Sequence, residues 1–198
     1  EAAHPLSGIE AVDAAAWGIP DVTENLAVYL CRQGENRMLQ RIDGAWQAID
    51  DATLADAGAC ADVAVLDADH DGDLDWWLAN VDGPNDLLSN NLDGSWRSLA
   101  AEAEPLLAGP ARASSQLLSA DLDGDGDVDL VTLQAQPPHQ VLVNDRLWQY
   151  REAEGFDAFL NHPVAAAVAG DPQAEGRTQL ITVDAAGDLL AWSPDTQG

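Results

Sequence analysis

Ten aspartates carry the chemistry of this sequence. In Asp67-Ala68-Asp69-His70-Asp71-Gly72-Asp73-Leu74-Asp75 and Asp121-Leu122-Asp123-Gly124-Asp125-Gly126-Asp127-Val128-Asp129, an Asp fills every odd position of a nine-residue window. Gly holds the sixth position and an apolar residue the eighth, and the second window starts 54 positions after the first. Carboxylates this closely spaced repel one another unless a cation sits among them, and an all-oxygen donor set suits a hard divalent ion. A loop curled around Ca2+ offers side chains at positions 1, 3, 5 and 9 and the backbone carbonyl of position 7. Gly at position 6 allows the sharp turn with φ > 0. The expected ligands are Asp67, Asp69, Asp71 and Asp75 with the Asp73 carbonyl, and Asp121, Asp123, Asp125 and Asp129 with the Asp127 carbonyl. That predicts two Ca2+ ions per chain. The competing reading is a solvated acidic turn, since Asp and Gly are common in turns.

An EF-hand would need a bidentate Glu at the twelfth position and helical flanks. The chain has Leu78 and Thr132 there. The flanks, Asp62-Val-Ala-Val-Leu66 and Trp76-Trp-Leu-Ala79, then Leu130-Val-Thr-Leu133, are short apolar or alternating runs, which read as strands. Each acidic loop is therefore expected to join two strands. His70 lies inside the first loop at a position directed away from the metal, and is expected to be exposed and idle. His4, His139 and His162 are scattered.

The remaining composition bounds the class. With 198 residues, 46% of them hydrophobic, the chain can bury a substantial core as one domain. No apolar run is long enough to cross a membrane as a helix. Eight Lys and Arg stand against 35 Asp and Glu, a net charge of −27. This excludes nucleic acid and anionic membrane surfaces as partners, because both need a basic footprint. The chain starts at Glu1 without an initiator Met or a signal-peptide stretch, as a processed form or an excised piece would. Cys31 and Cys60, the only cysteines, could pair if the protein is exported, or stay as two buried thiols.

Internal repetition organises the whole length. Asn85-Asp-Leu-Leu-Ser-Asn-Asn-Leu-Asp93-Gly94-Ser-Trp96 matches Asn36-Arg-Met-Leu-Gln-Arg-Ile-Asp43-Gly44-Ala-Trp46, and Gln140 to Trp148 has the same tail. Trp46, Trp96 and Trp148 recur about 50 residues apart, as core aromatics would. Each unit reads as strand, loop, strand, turn, strand, turn and a strand opening near Trp. Four units are expected, at about 5–51, 55–104, 113–159 and 163–198. In the first, Trp17, Ile19 and Asp21 stand at ligand positions, so no metal is expected. In the fourth, Asp171 to Gln179 keeps positions 1, 5 and 6 only, and Arg177 adds a cation, so a metal-free turn is expected. Little chain remains after Trp192 for a fourth strand.

Four-stranded units of about 50 residues with Asp-rich loops between their first two strands resemble the calcium-binding β-propeller blades called FG-GAP or VCBS repeats. The resemblance is strongest over 55–160, carried by the two acidic loops and the Asn-x-Leu-Leu…Asp-Gly-x-Trp segments; lacking literal Phe-Gly or Gly-Ala-Pro signatures, it favours the VCBS-like branch. It implies an all-β fold of β-propeller blades, each a four-stranded antiparallel sheet, about four in number and part of a larger propeller. It further implies Ca2+ at the Asp positions of the second and third units, and an extracellular or periplasmic setting. The function expected is a non-catalytic interaction or adhesion module. The partners expected are an unknown protein or glycan, or the remaining blades of a parent propeller. Two alternatives stand beside it: a calcium-stabilised propeller enzyme acting on polysaccharide, and a structural segment of a longer secreted protein. No G-x-S-x-G, H-E-x-x-H or Walker motif supports catalysis.

Overall fold

A computed structural model describes residues 6–20, 24–55, 58–91, 93–99, 105–109, 113–146 and 149–194. Asp21, Trp148 and Glu1 to Pro5 lie outside the described residues. The fold is all-β. The first sheet comprises β1 (Val12–Gly18), β2 (Ala27–Arg32), β3 (Arg37–Ile42) and β4 (Ala45–Ala48). The second comprises β5 (Cys60–Leu66), β6 (Asp75–Asn80), β7 (Asp86–Asn90) and β8 (Trp96–Ser98). The third is built of β9 (Ser114–Ala120), β10 (Asp129–Gln134), β11 (Gln140–Asn144) and β12 (Tyr150–Glu152), and the fourth of β13 (Ala166–Gly170), β14 (Gln179–Val183) and β15 (Leu189–Trp192). Every sheet is an antiparallel meander in sequence order. Among the described residues the fourth has three strands, one short of the others.

The sheets stack in sequence as propeller blades do, with β1 against β5, β5 against β9 and β9 against β13. The sequence shows why. Along β6 and β10 every residue is buried, because successive side chains point to opposite faces and both faces meet a neighbouring sheet. Trp76 enters the seam between the first two sheets, while Trp77 enters the next. Leu130 faces the second sheet and Val131 the fourth. β14 buries alternate residues only, since among the described residues no further sheet lies on its outer face. Trp96 sits in the first seam, and Trp46 packs on the outer face of the first sheet.

Among the described residues three one-turn helices, α1 (Ala52–Ala55), α2 (Pro105–Ala108) and α3 (Asp157–Leu160), link successive sheets. Each plugs a seam with one buried side chain, Leu54, Leu107 and Phe159 in turn. α2 opens on Pro105, a residue suited to a first helical position because its missing N–H would have no partner there. Cys31 and Cys60 form a disulfide between the first two sheets, with Cα atoms 5.3 Å apart. No helix among the described residues is long and apolar enough to cross a membrane.

Candidate metal centre

The acidic loops join β5 to β6 and β9 to β10, between the first two strands of the second and third sheets. Their backbones share a pattern. Position 6 is left-handed at Gly72 and Gly126, both with φ near 95°, as the spacing required. Position 4 is left-handed too: Gly124 takes φ 83° there in the second loop, and His70 takes φ 60° in the first. Carboxylates then gather the loop amides. Asp67 accepts from the Gly72 amide, Asp69 from Asp71 and Asp71 from Asp73. In the second loop Asp121 accepts from Gly124 and Gly126, Asp123 from Asp125 and Asp125 from Asp127.

The ninth residue clamps the loop to its sheet. Asp75, fully buried, accepts from the amides of Ala68 and Asn90 at 2.9 and 3.0 Å. Asp129 does the same with Leu122 and Asn144 at 2.7 and 2.9 Å. Each clamp thus fixes position 2 of the loop and the end of the third strand. Burial pushes the Asp75 carboxyl up to about 7 and Asp129 to about 6, despite the amides that favour the charged form. Asp69 and Asp123 are also raised, by desolvation first and then by neighbouring carboxylates. A cation would reverse that balance by favouring ionised oxygens.

Oxygens of Asp67, Asp69 and Asp71 lie within 4.8 Å of one another in the first loop, as do those of Asp121, Asp123 and Asp129 in the second. Asp67 Oδ1 is buried without a hydrogen-bond partner among the described residues, an acceptor free to take a cation. The donor set is hard oxygen throughout, so both loops fit a Ca2+-type ion. The structure brings positions 1, 3 and 5 together in one loop and 1, 3 and 9 in the other. Asp75 and Asp125 stand outside these close groups, and the side chains of Asp73 and Asp127 are buried.

Three residues that spacing does not reveal complete the site. His70 is not idle: its Nε2 lies 3.2 Å from Asp127 Oδ1 of the neighbouring loop. Arg146 Nε donates to the other Asp127 oxygen at 2.9 Å. The hydroxyl of Tyr150 is buried without a partner, in the field of Asp75 and Asp69 from one loop and Asp129 and Asp127 from the other. By contrast the Asn at the end of the third strand, Asn90 and Asn144, recurs 54 residues apart and is a readable signal.

In the fourth sheet Asp171 accepts from the amides of Glu175 and Gly176 at 3.0 and 2.7 Å. Ala174 and Gly176 keep the left-handed φ at positions 4 and 6. The loop has kept its backbone and the carboxylates of positions 1 and 5, but carries Gln173, Arg177 and Gln179 at positions 3, 7 and 9. In the first sheet Trp17 packs edge-on against Trp46 instead of offering a ligand.

Stacked antiparallel sheets with acidic loops between their first two strands define blades of the propeller type. Residues 72–132 match the family model of an FG-GAP-like repeat, which covers just under a third of the chain. The matched segment runs from within one acidic loop to just beyond the other, one full repeat measured from loop to loop. The FG-GAP resemblance rests on that segment. No curated protein matches the chain.

Proposed function

We propose that this chain is a non-catalytic interaction module of propeller-blade type whose two acidic loops bind Ca2+. The observation that carries the reading is the convergence of three carboxylates in each loop, with Asp67 Oδ1 buried and unpaired. Asp67, Asp69, Asp71 and Asp75 with the Asp73 carbonyl, and Asp121, Asp123, Asp125 and Asp129 with the Asp127 carbonyl, would hold the ions. Bound Ca2+ neutralises the loops and stiffens the rim that presents a protein or glycan ligand. The FG-GAP-like match supports a role in interaction. The disulfide supports an exported setting, where such bonds persist. Titration calorimetry with CaCl2 should give a stoichiometry near two; a value near zero, or saturation by MgCl2 at equal concentration, sinks the reading. Panels of glycans and proteins, with and without Ca2+, should show binding without turnover.

The open row of stacked sheets also supports reading the chain as an arc that further blades would extend. Val168 and Leu189 on the outer face of the fourth sheet are 57% and 74% exposed, beside half-buried Ile181 and Val183. A further blade of a parent propeller is the fitting occupant, because the three seams within the chain bury this same type of face.

A further inference from the structure

We propose that the two acidic loops form one coupled two-cation unit, linked by His70 and the side chain of Asp127; the proposal rests on the calcium reading above. His70 occupies position 4 of the first loop, between the expected ligands Asp69 and Asp71. Its Nε2 lies 3.2 Å from Asp127 Oδ1, and that carboxylate is 7% exposed. Asp127 stands at position 7 of the second loop, where its own carbonyl is an expected ligand. One residue is therefore a neighbour of ligands in the first site and the other is a ligand in the second. The two side chains meet across the loops within ion-pair distance.

Three further observations converge on it. Arg146 holds the second Asp127 oxygen at 2.9 Å, fixing the carboxylate as a target for the imidazole. His70 accepts a left-handed backbone, φ 60°, at a position where the second loop uses Gly. A non-Gly residue in that region is costly unless its surroundings hold it there. The hydroxyl of Tyr150, buried with no partner among the described residues, feels carboxylates of both loops, Asp75 and Asp69 from one and Asp129 and Asp127 from the other.

Coupling follows from ordering. Without cations each loop is loosened by repulsion among its carboxylates. Closing the first loop fixes His70, and closing the second fixes Asp127; whichever closes first lowers the entropic cost of the other. The effect must be reciprocal, and a factor of about 5 or more in affinity is typical of such links.

The test is a cycle of CaCl2 titrations on the full chain: wild type, Asp123→Ala to disable the second loop, His70→Gly to cut the link, and the double variant. Gly suits the left-handed position, so His70→Gly does not strain the loop, and circular dichroism checks that the sheets persist. Asp123→Ala should weaken the remaining ion about fivefold or more, and His70→Gly should bind two ions yet abolish that dependence. Two ions bound with the same dependence in both backgrounds, or with none in wild type, overturns the coupling and leaves the calcium reading standing. No ion bound by wild type overturns both. His70→Asn, which tolerates the backbone and keeps a polar side chain, should restore part of the dependence relative to His70→Gly; equal values for Asn and Gly would overturn the role of the side chain's contact with Asp127.

Discussion

Asp69 and Asp123 occupy the same position in two copies of one loop, so their removal should have the same result. Asp69→Ala and Asp123→Ala should each lower the Ca2+ stoichiometry by one, whereas Glu175→Ala should leave it unchanged, as calorimetry would show. An ion lost from the last variant would mean that the fourth loop binds after all. His139 makes a different point. It sits where Asn36 and Asn85 sit in the preceding sheets, and its Nδ1 accepts from the Gln134 amide as their Oδ1 atoms accept from Arg32 and Asn80. Its Nε2 then donates to the His162 carbonyl, and burial holds its pKa below the ordinary value. The folded protein keeps this ring neutral, so the unfolded chain binds more protons in acid. Its contribution is therefore present above roughly pH 6.5 and lost as the pH falls through that value. His139→Asn should flatten the slope of Tm against pH near 6, while His139→Ala should cost ~1–3 kcal/mol by leaving the Gln134 amide without an acceptor. The aspartates were legible because like charges at fixed spacing have few other uses. His139 was not, because the repeat preserves an acceptor and not a residue type. The contact of His70 with Asp127 was hidden too, since it depends on how two sheets stack.

Strands with both faces buried read directly from the chain: Trp76-Trp77-Leu78-Ala79 and Leu130-Val131-Thr132-Leu133 have apolar residues where an isolated sheet would alternate. The one-turn helices could not be read this way, because four residues carry no helical period. Each nevertheless contributes a fully buried side chain to a seam. Phe159 touches Phe156 and Trp192 edge-on and stacks at a tilt on His139. Phe159→Ala should cost ~3–5 kcal/mol, and Leu107→Ala ~2–5 kcal/mol, measured by urea unfolding. Between the inner strands, polar side chains add direction: Asp62 accepts from the Leu117 amide, and Gln116 exchanges two hydrogen bonds with Ala167. These contacts fix the register of one sheet on the next, which apolar packing alone does not.

The two ends of the arc differ. Leu6, Ile9 and Trp46 cover the outer face of the first sheet, packing on Val28, Leu30 and Leu39, while Val168 and Leu189 on the outer face of the fourth are exposed among the described residues. Scattering in solution should therefore show an arc or its assemblies; a strictly monomeric disc with both termini protected from proteolysis would contradict it. If each site has a Kd of ~10 μM, ~1 mM free Ca2+ adds roughly 2.7 kcal/mol per site, and chelation should lower Tm accordingly. The Cys31–Cys60 bond gives the arc a mechanical polarity. Pulled from its ends, the chain loads its three seams in series, and only the first is crossed by a covalent link. The fourth sheet, packed on one face alone among the described residues, should peel away first. The segment between the two cysteines, 29 residues apart in sequence, should not extend until the bond is reduced. Force spectroscopy would then register a total length roughly 100 Å short of the full chain, restored by a reducing agent.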